Sequence, residues 1–324
     1  MAYTITLLVP LDQKARLLDP SGQLFVFRED EAEVRADNAR KGPVVIRANA
    51  GEDCMDILFK SELPDSRENT LFIKVNIHMH SAQFDIQGSD GVTPGFNYEQ
   101  SVRPFATEGE ALMAPASAGT LTVQVGSTER FHPGALVGVG MDQDQTFEVM
   151  QVLEAGEGTV VFDELLRYPH AAGEGVSAEF VPYRYYPDMQ VGPAYFHGHV
   201  DALTLWKHGL FGALIVKPPG STYHDPRTGA TIQSGPVADI HTHAVISADV
   251  TGSFRELVLF IQDDSIITRL DHSSGSSYNL WVEPIGVRGR APPEPFNRTL
   301  YGDPKTPVLE AQVAEPVVVR TLVA

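Results

Sequence analysis

The sequence has 324 residues, of which 43% are hydrophobic, and this is enough for two domains of ordinary size with apolar cores. The formal net charge of −18 argues against a nucleic-acid partner, because binding to the phosphate backbone depends on Lys and Arg. No uninterrupted apolar stretch approaches the roughly 18 residues that a membrane helix requires. We therefore expect a soluble globular protein whose partners are neither nucleic acids nor membranes.

The first residues of the chain lack the basic region of a signal peptide, so we expect a cytoplasmic protein unless a partner carries the export signal. Cys54 is the single cysteine, which excludes a disulfide within the chain. No histidine lies near it in the sequence, and we therefore interpret it as a buried thiol rather than a metal ligand.

Short runs rich in Val, Thr and Phe alternate with turns rich in Asp, Gly and Pro, a pattern typical of an all-β chain. Long helical patterns are missing. The first predicted strands cover residues 5–9, 24–27, 44–48, 55–60 and 71–80. We assign them to a first domain that comprises residues 1–106 and continues in residues 182–220.

Residues 107–181 differ in character from the segments on either side, because Gly and acidic residues interrupt their apolar runs. The predicted strands here cover residues 120–125, 135–139, 146–152 and 159–162. Surface connections tolerate long insertions at a modest entropic cost. We therefore interpret this segment as a small β-module inserted between two strands of the first domain.

The first domain resumes after the insertion and closes with two predicted strands, at residues 183–186 and 209–216. Residues 221–253 are rich in Gly, Ser and Thr and are interpreted as a linker. Further strands are predicted at residues 256–262, 278–282, 308–309 and 317–323. These are too few for a closed sandwich, so we expect residues 254–324 to be the start of a second, incomplete domain.

Two His-x-His pairs carry the strongest chemical signal: His78 with His80, and His197 with His199. In a strand, residues i and i+2 project from the same face, so each pair can aim two imidazoles at one point. Two such pairs can form a four-imidazole site, which suits copper, zinc or iron. A single pair would be weak evidence for a metal.

The remaining histidines carry less weight. His241 and His243 form a third pair, but no strand is predicted to lead into it, so a surface position is favoured over metal binding. His208 is interpreted as a packing residue close to the site. Four others are interpreted as solvated turn residues: His132, His170, His224 and His272.

The surroundings of the two pairs resemble the first domain of the multicopper oxidases, the family of laccases and related blue-copper enzymes. In that family the first His-x-His closes a strand and precedes an Asp-Gly turn, as Asp90-Gly91 follows here. The second pair precedes a Gly-Leu-Tyr/Phe-Gly-Ala-Leu-Ile-Val strand, matched here by residues 209–216. The resemblance covers residues 40–105 and 183–218 and implies cupredoxin-like, Greek-key β-sandwich domains. The segment at 80–98 and the insertion look more like large bacterial members, some associated with manganese oxidation.

The resemblance also implies a role for each site residue. His78 would bind the type 2 copper of a trinuclear cluster, and His80, His197 and His199 would bind its two type 3 coppers. Asp90 matches an acidic residue that is thought to pass protons towards oxygen, although a turn carboxylate is an equal interpretation. This chain has Met79 where tryptophan is usual and Ser81 where glycine is usual.

The family completes its cluster with a His-x-x-His-x-His motif and a His-Cys-His motif, and the sequence contains neither. A second polypeptide that carries both motifs and the type 1 copper is therefore the expected partner. The implied activity couples one-electron oxidation of a small substrate, such as a phenol, Mn(II) or Cu(I), to reduction of O2 to water. The alternatives are a non-catalytic copper-binding scaffold subunit and a His-ligated metallohydrolase, although hydrolytic zinc sites commonly mix His with Asp, Glu or Cys.

Overall fold

The computed structural model describes residues 2–8, 23–36, 43–63, 74–92, 100–143, 145–200, 202–207, 209–248, 250–262, 277–278 and 310–323. Within these segments the fold is all-β, as the sequence predicted, and the helices have only one or two turns. No helix in these segments is long and apolar enough to cross a membrane. The predictions for His208, His272 and the strand at 308–309 lie outside the described residues.

Strands supply almost all the regular structure of the described segments. In chain order they are β1 (Ala2–Leu8), β2 (Leu24–Phe27), β3 (Val44–Asn49), β4 (Met55–Ser61), β5 (His78–Met79), β6 (Gln83–Phe84), β7 (Glu110–Ala111), β8 (Thr122–Gln124), β9 (Leu136–Val139), β10 (Glu148–Gly156), β11 (Thr159–Phe162), β12 (Gly175–Ser177), β13 (Phe180–Tyr186), β14 (Gly192–His197), β15 (Phe211–Lys217), β16 (Thr222–His224), β17 (Val237–His241), β18 (Phe254–Gln262), β19 (Ser277–Tyr278) and β20 (Val317–Val323). The helices are α1 (Glu31–Ala36), α2 (Ile86–Ser89), α3 (Phe105–Glu108) and α4 (Ala202–Lys207), and a 3₁₀ turn at Arg28–Asp30 precedes α1.

Two sheets pack face to face to form a first sandwich. One has the strand order β2-β1-β4-β13-β6, and the other has the order β3-β15-β14-β5. Their facing side chains form one apolar core, which includes Phe25, Ile46, Ile57, Phe59, Tyr183, Phe196 and Leu214. Both sheets combine strands from before and after residues 110–177, so the sandwich closes only when distant parts of the chain meet.

Strand β15 is buried along its whole length, because apolar layers cover both of its faces. Leu214 and Val216 face the core of the sandwich. Ala213 and Ile215 face a second cluster, to which strand β18 contributes Phe260. A strand buried on both faces is a continuous apolar run rather than an alternating one, which explains why the sequence indicated it clearly.

A further sheet has the order β16-β17-β18-β19, with β20 parallel to β18. Strands β16 and β17 lie within the segment 221–253, which the composition had indicated to be a linker. That prediction is wrong for these residues. Both strands are short, and buried and outward-facing residues alternate along them. In β17 Ala238 and Ile240 are buried while Asp239 and His241 are directed outwards, so only two buried apolar residues indicate the strand in the sequence.

Buried charges join this sheet to the first sandwich. The carboxylate of Glu256 on β18 forms ion pairs with three cations: Arg47 at 2.5 Å, Arg320 at 2.9 Å, and Lys217. The side chains of Glu256, Arg47 and Lys217 are 0% exposed. Burial lowers the pKa of Lys217 to about 8, helped by Arg320 and Arg47 and opposed by Glu256. Burial alone would raise the pKa of Glu256, but Lys217 and Arg47 outweigh it and hold the carboxyl ionised.

Residues 110–177 form a sheet of their own, with the order β7-β12-β9-β10-β11-β8. Its core is separate from that of the sandwich and includes Val123, Val137, Met150, Phe162 and Val176. The strand predicted at 146–152 begins two residues later and continues to Gly156. The strand predicted at 120–125 is confined to Thr122–Gln124.

His170 in this module is not a solvated turn residue, as its sequence context had indicated. It is 2% exposed, and its ring nitrogens lie 2.7 Å from Glu174 and 2.9 Å from Glu148. Glu148 is distant from His170 in the sequence, and only the folded sheet brings it to the ring. Local sequence patterns therefore carried no signal for this contact.

Candidate metal centre

The two His-x-His pairs meet at one end of the first sandwich. Strands β5 and β14 are antiparallel neighbours, with His78 opposite His197. The ring centroids of His78 and His199 are 4.8 Å apart, those of His80 and His197 are 5.1 Å apart, and those of His78 and His197 are 5.7 Å apart. The structure thus brings together the four imidazoles that the sequence selected.

The strand that leads to the first pair is shorter than predicted. Of the predicted residues 71–80, only His78–Met79 form a strand, and residues 71–73 lie outside the described segments. Val75 makes an isolated bridge with Val102. Met79 is buried in the sandwich core. Ser81 has φ 57°, in the left-handed region that favours glycine.

The Asp90-Gly91 turn packs directly beneath the first pair. Gly91 has φ 69°, and a side chain there would collide with the carbonyl oxygen of Ile77. Its amide donates to the side chain of Gln100, at 2.7 Å. Close packing of the turn brings the carbonyl oxygen of Asp90 to 2.5 Å from Nδ1 of His78. The Asp90 carboxylate is 3.5 Å from the same nitrogen.

Asn76 is a positioning residue that the sequence did not reveal. Its side chain is completely buried. Its Oδ1 accepts from the backbone amide of His199 at 2.7 Å and from that of Val200 at 3.2 Å, and its Nδ2 donates to the carbonyl of Gly91. One amide therefore fixes both histidine pairs and the turn relative to each other. An Asn two residues before a His-x-His has no local pattern that would single it out.

Hydrogen bonds to the backbone set the tautomers of two rings. Nδ1–H of His78 donates to Asp90, and Nδ1–H of His197 donates to the carbonyl of Gly198 at 2.9 Å. In each ring Nε2 then carries the lone pair, which is the arrangement of a metal-ligating histidine. Nε2 of His197 lies 3.1 Å from Nε2 of His80.

The environment favours uncharged imidazoles. Burial lowers the pKa of His197 to about 4, and its three histidine neighbours add to the effect. Burial and the neighbouring rings also lower the pKa values of His80 and His199. At neutral pH these three rings therefore offer lone pairs rather than positive charge, as metal ligands must.

The site fits copper in donor type and spacing, but it is incomplete within the described residues. Two nitrogens near 3 Å apart have the separation of two ligands that each lie about 2 Å from one ion. Imidazole is a ligand that copper, zinc and iron accept. Among the residues that the structure describes, no three His, Cys, Asp or Glu side chains are already arranged to hold one ion.

Trp206 packs on the buried side of the site. Its ring stacks on that of His197, with centroids 4.4 Å apart and planes at 21°. Tyr195 also contacts Trp206, edge to face, with ring centroids 5.1 Å apart. Helix α4 places Trp206 there, close in sequence to His208, which the sequence had suggested for this packing role. A ring stacked on His197 restricts rotation of the imidazole.

Neither a family model nor a curated protein matches the chain. Among solved structures, the chain is similar to a multi-copper oxidase from Pseudomonas thermotolerans, with 13% identity and a TM-score of 0.33 over 86% of this chain and 41% of that one. It is also similar to a copper nitrite reductase from Nitrosomonas europaea, with 14% identity and a TM-score of 0.33 over 86% and 56% of the two chains. It is similar as well to a laccase from Botrytis aclada, with 14% identity and a TM-score of 0.27 over 81% of this chain and 25% of that one. The chain spans less than two thirds of each of these structures, and TM-scores this low identify neither its fold nor its activity.

An Asn76→Ala variant should bind copper about tenfold or more weakly than the wild-type chain, because groups that orient metal ligands contribute that much to affinity. It should also lose about 1–3 kcal/mol of stability, since the backbone groups of Gly91, His199 and Val200 would lose their partner. Copper(II) titration and urea unfolding measure the two effects. Asn49→Ala is the matched control, because Asn49 also bonds through its side chain, to Ser221 at 2.9 Å. Equal copper affinity in the two variants would contradict the positioning role.

Proposed function

We propose that the chain supplies His78, His80, His197 and His199 to the copper cluster of an oxidoreductase of the multicopper oxidase type. The observation that carries the proposal is the meeting of four imidazoles, with lone pairs on Nε2 of His78 and His197. The two-sheet sandwich that holds them is consistent with a cupredoxin-like domain.

In this proposal His78 binds a type 2 copper, and His80, His197 and His199 bind type 3 coppers. The assignment rests on the correspondence of the motifs. It is consistent with the described residues, among which no three His, Cys, Asp or Glu side chains are arranged to hold one ion, because each copper would take further ligands from a second polypeptide. Copper bound there would supply the one-electron redox chemistry that O2 reduction requires.

The chain's own residues would orient the ligands and move protons. Asn76 and Trp206 fix the positions of His199 and His197. The Asp90 carboxylate is 19% exposed and lies 3.5 Å from Nδ1 of His78, so it can exchange protons between solvent and the rim of the site. We therefore keep Asp90 as the proposed proton relay.

We further propose that the remaining ligands and the type 1 copper belong to a second polypeptide with His-x-x-His-x-His and His-Cys-His motifs. The reducing substrate, a phenol, Mn(II) or Cu(I), would bind there, and the complex would act in the cytoplasm. The all-imidazole donor set argues against the metallohydrolase alternative. The scaffold alternative predicts copper binding without O2 consumption.

Copper content after dialysis against Cu(II) tests the site directly. His80→Asn and His197→Asn should each lower the copper bound per chain, whereas His132→Asn, which changes an exposed histidine of the inserted module, should not. His80 is exposed, so its variant should fold even if loss of the buried His197 perturbs packing. Unchanged copper content in a folded His80→Asn variant would contradict the proposed site.

The same preparation tests the partner. The chain alone should consume no O2 with an electron donor, and consumption should begin when a polypeptide with both missing motifs and Cu(II) are added. If the single chain, shown by mass spectrometry to be free of other polypeptides, turned over at a rate comparable to the complex, the shared-site proposal would have to be abandoned.

A further inference from the structure

Two further imidazoles, those of His224 and His241, lie together on the outer face of strands β16 and β17. Thr222 pairs with His241 across these strands, and His224 pairs with Asp239, which places the two histidines diagonally on one face. Their ring centroids are 4.3 Å apart, with planes at 29°. The sequence indicated a solvated turn position for His224 and a surface position for His241 in a pair with His243, because the two strands were not predicted.

The surroundings of His224 fix its tautomer. Nδ1 lies 3.2 Å from the carbonyl oxygen of Gly229 and donates to it. Nε2 lies 2.9 Å from the hydroxyl of Thr222, which donates to its lone pair. A ring N–H held by a backbone carbonyl, with the second nitrogen unprotonated, is how proteins orient a metal-binding histidine. The hydroxyl can rotate away and free Nε2 for a stronger ligand.

The loop after His224 is held in place by its own hydrogen bonds. The Asp225 carboxylate accepts from the backbone amides of Arg227 at 2.9 Å and Thr228 at 2.7 Å. The backbone amide of Gly229 donates to the carbonyl of Asp225 at 2.8 Å, which fixes the carbonyl that orients His224. Little further ordering is therefore needed for His224 to bind a ligand.

The neighbouring carboxylate does not compete for a metal. Asp239 is engaged by Arg255 through bonds of 2.8 and 3.1 Å, which leaves the two imidazoles and the neutral hydroxyl of Thr222 as donors beside it. Nitrogen donors select borderline transition ions over Mg²⁺ or Ca²⁺, which prefer oxygen. The net charge of −18 favours the approach of any cation.

We propose that His224 and His241 form a second metal site, which takes one Cu(II), Ni(II) or Zn(II) ion. Rotation of the exposed His241 ring brings a nitrogen of each ring to the ion, and water completes the coordination. The affinity follows the order of divalent ions at nitrogen sites, with Cu(II) bound more tightly than Ni(II) or Zn(II). The site does not depend on the proposed copper cluster.

Zn(II), which has no redox chemistry, is the probe for the test. The full chain is dialysed against Zn(II), and metal is measured per chain for the wild type, His224→Asn, His241→Asn and the control His132→Asn. Each of the first two variants should lose one equivalent of Zn(II), and the control should lose none. Zinc at the four clustered histidines cancels in this comparison, because none of the variants changes them.

A second measurement locates the ion by residue. Diethyl pyrocarbonate modifies accessible histidines, and mass spectrometry reports each one. Zn(II) at about ten times its dissociation constant should slow modification of His224 and His241 about tenfold and leave His132 unchanged. The same zinc content in wild type and both variants, or no protection of the pair, would overturn the proposal. Near-ultraviolet circular dichroism confirms that each variant is folded.

Discussion

A Glu256→Gln variant should unfold at a much lower urea concentration than the wild-type protein. Among the residues that the structure describes, the carboxylate of Glu256 contacts Arg47, Lys217 and Arg320 between the first sandwich and the sheet of β18. Without its charge, Arg47 and Lys217 lie together away from water, with the partly exposed Arg320 beside them. Breaking a buried ion pair by removing one partner costs about 3–5 kcal/mol, and we expect a loss in that range.

Removal of one of the cations should have only a small effect on stability. Lys217→Met removes one of the three cations and leaves the carboxylate paired with two arginines. Burial already lowers the pKa of Lys217, which shows that the site holds its charge at a cost. Removal of one partner is costly when it leaves a buried charge unpaired, but here Glu256 keeps Arg47 and Arg320, so the variant should unfold at nearly the same urea concentration. Similar losses in both variants would contradict this account.

Asp56→Asn provides the surface control. Asp56 pairs with Arg184 at 2.8 Å, and both side chains are about half exposed. Exposed ion pairs contribute about 1 kcal/mol or less, so this variant should remain close to wild type.

A Gly212→Ala variant should fail to fold or lose more than about 4 kcal/mol, the range reached by severe overpacking. Gly212 lies on β15 opposite Phe196, whose ring covers it, and β3 pairs on the other side. A methyl group there would lie 2.6 Å from the carbonyl oxygen of Val44 and would overlap the Phe196 ring. Either β3 or the strand that carries His197 would have to move, so copper binding should be lost as well.

Gly156→Ala is the matched control, because Gly156 also lies in a strand and a side chain there would meet nothing. Alanine restricts the unfolded chain more than glycine does, so this variant should be neutral or more stable by up to about 1 kcal/mol. Thermal unfolding and copper content compare the two. If Gly212→Ala behaved like Gly156→Ala, the close approach of β14 and β15 would not be what holds this part of the site.

The strands that the sequence predicted well are those with a strong local apolar signal. Leu24–Phe27 and Thr159–Phe162 begin and end at the predicted residues. Val44–Asn49 and Met55–Ser61 differ from prediction by one residue at the end. The meeting of the two histidine pairs was also predicted, although only His78 and His197 lie within strands and His80 and His199 follow the strand ends. Their roles as copper ligands, and that of Asp90 in proton transfer, stay predictions.

The features that the sequence missed depend on contacts between distant residues. Asn76 bonds to His199, Glu148 bonds to His170, and Trp206 stacks on His197 only after the sheets have formed. Strands β16 and β17 are similar, since short segments with polar outer faces resemble linkers until a neighbouring strand pairs with them. Periodicity reports which face of an element is buried, but not which residues meet across the core.

The independent core of residues 110–177 bears on the order in which the chain can fold. Within the described part of the chain these strands pair only with one another, so this part can become structured before the sandwich around it. The sandwich must wait, because β3 acquires its parallel neighbour only when residues 211–217 have been synthesised. Once it is structured, the inserted segment is no longer part of a long flexible connection between β5 and β14. Fewer flexible residues then separate the two histidine pairs. The conformational entropy lost when the pairs come together is therefore smaller than it would be for an unstructured connection.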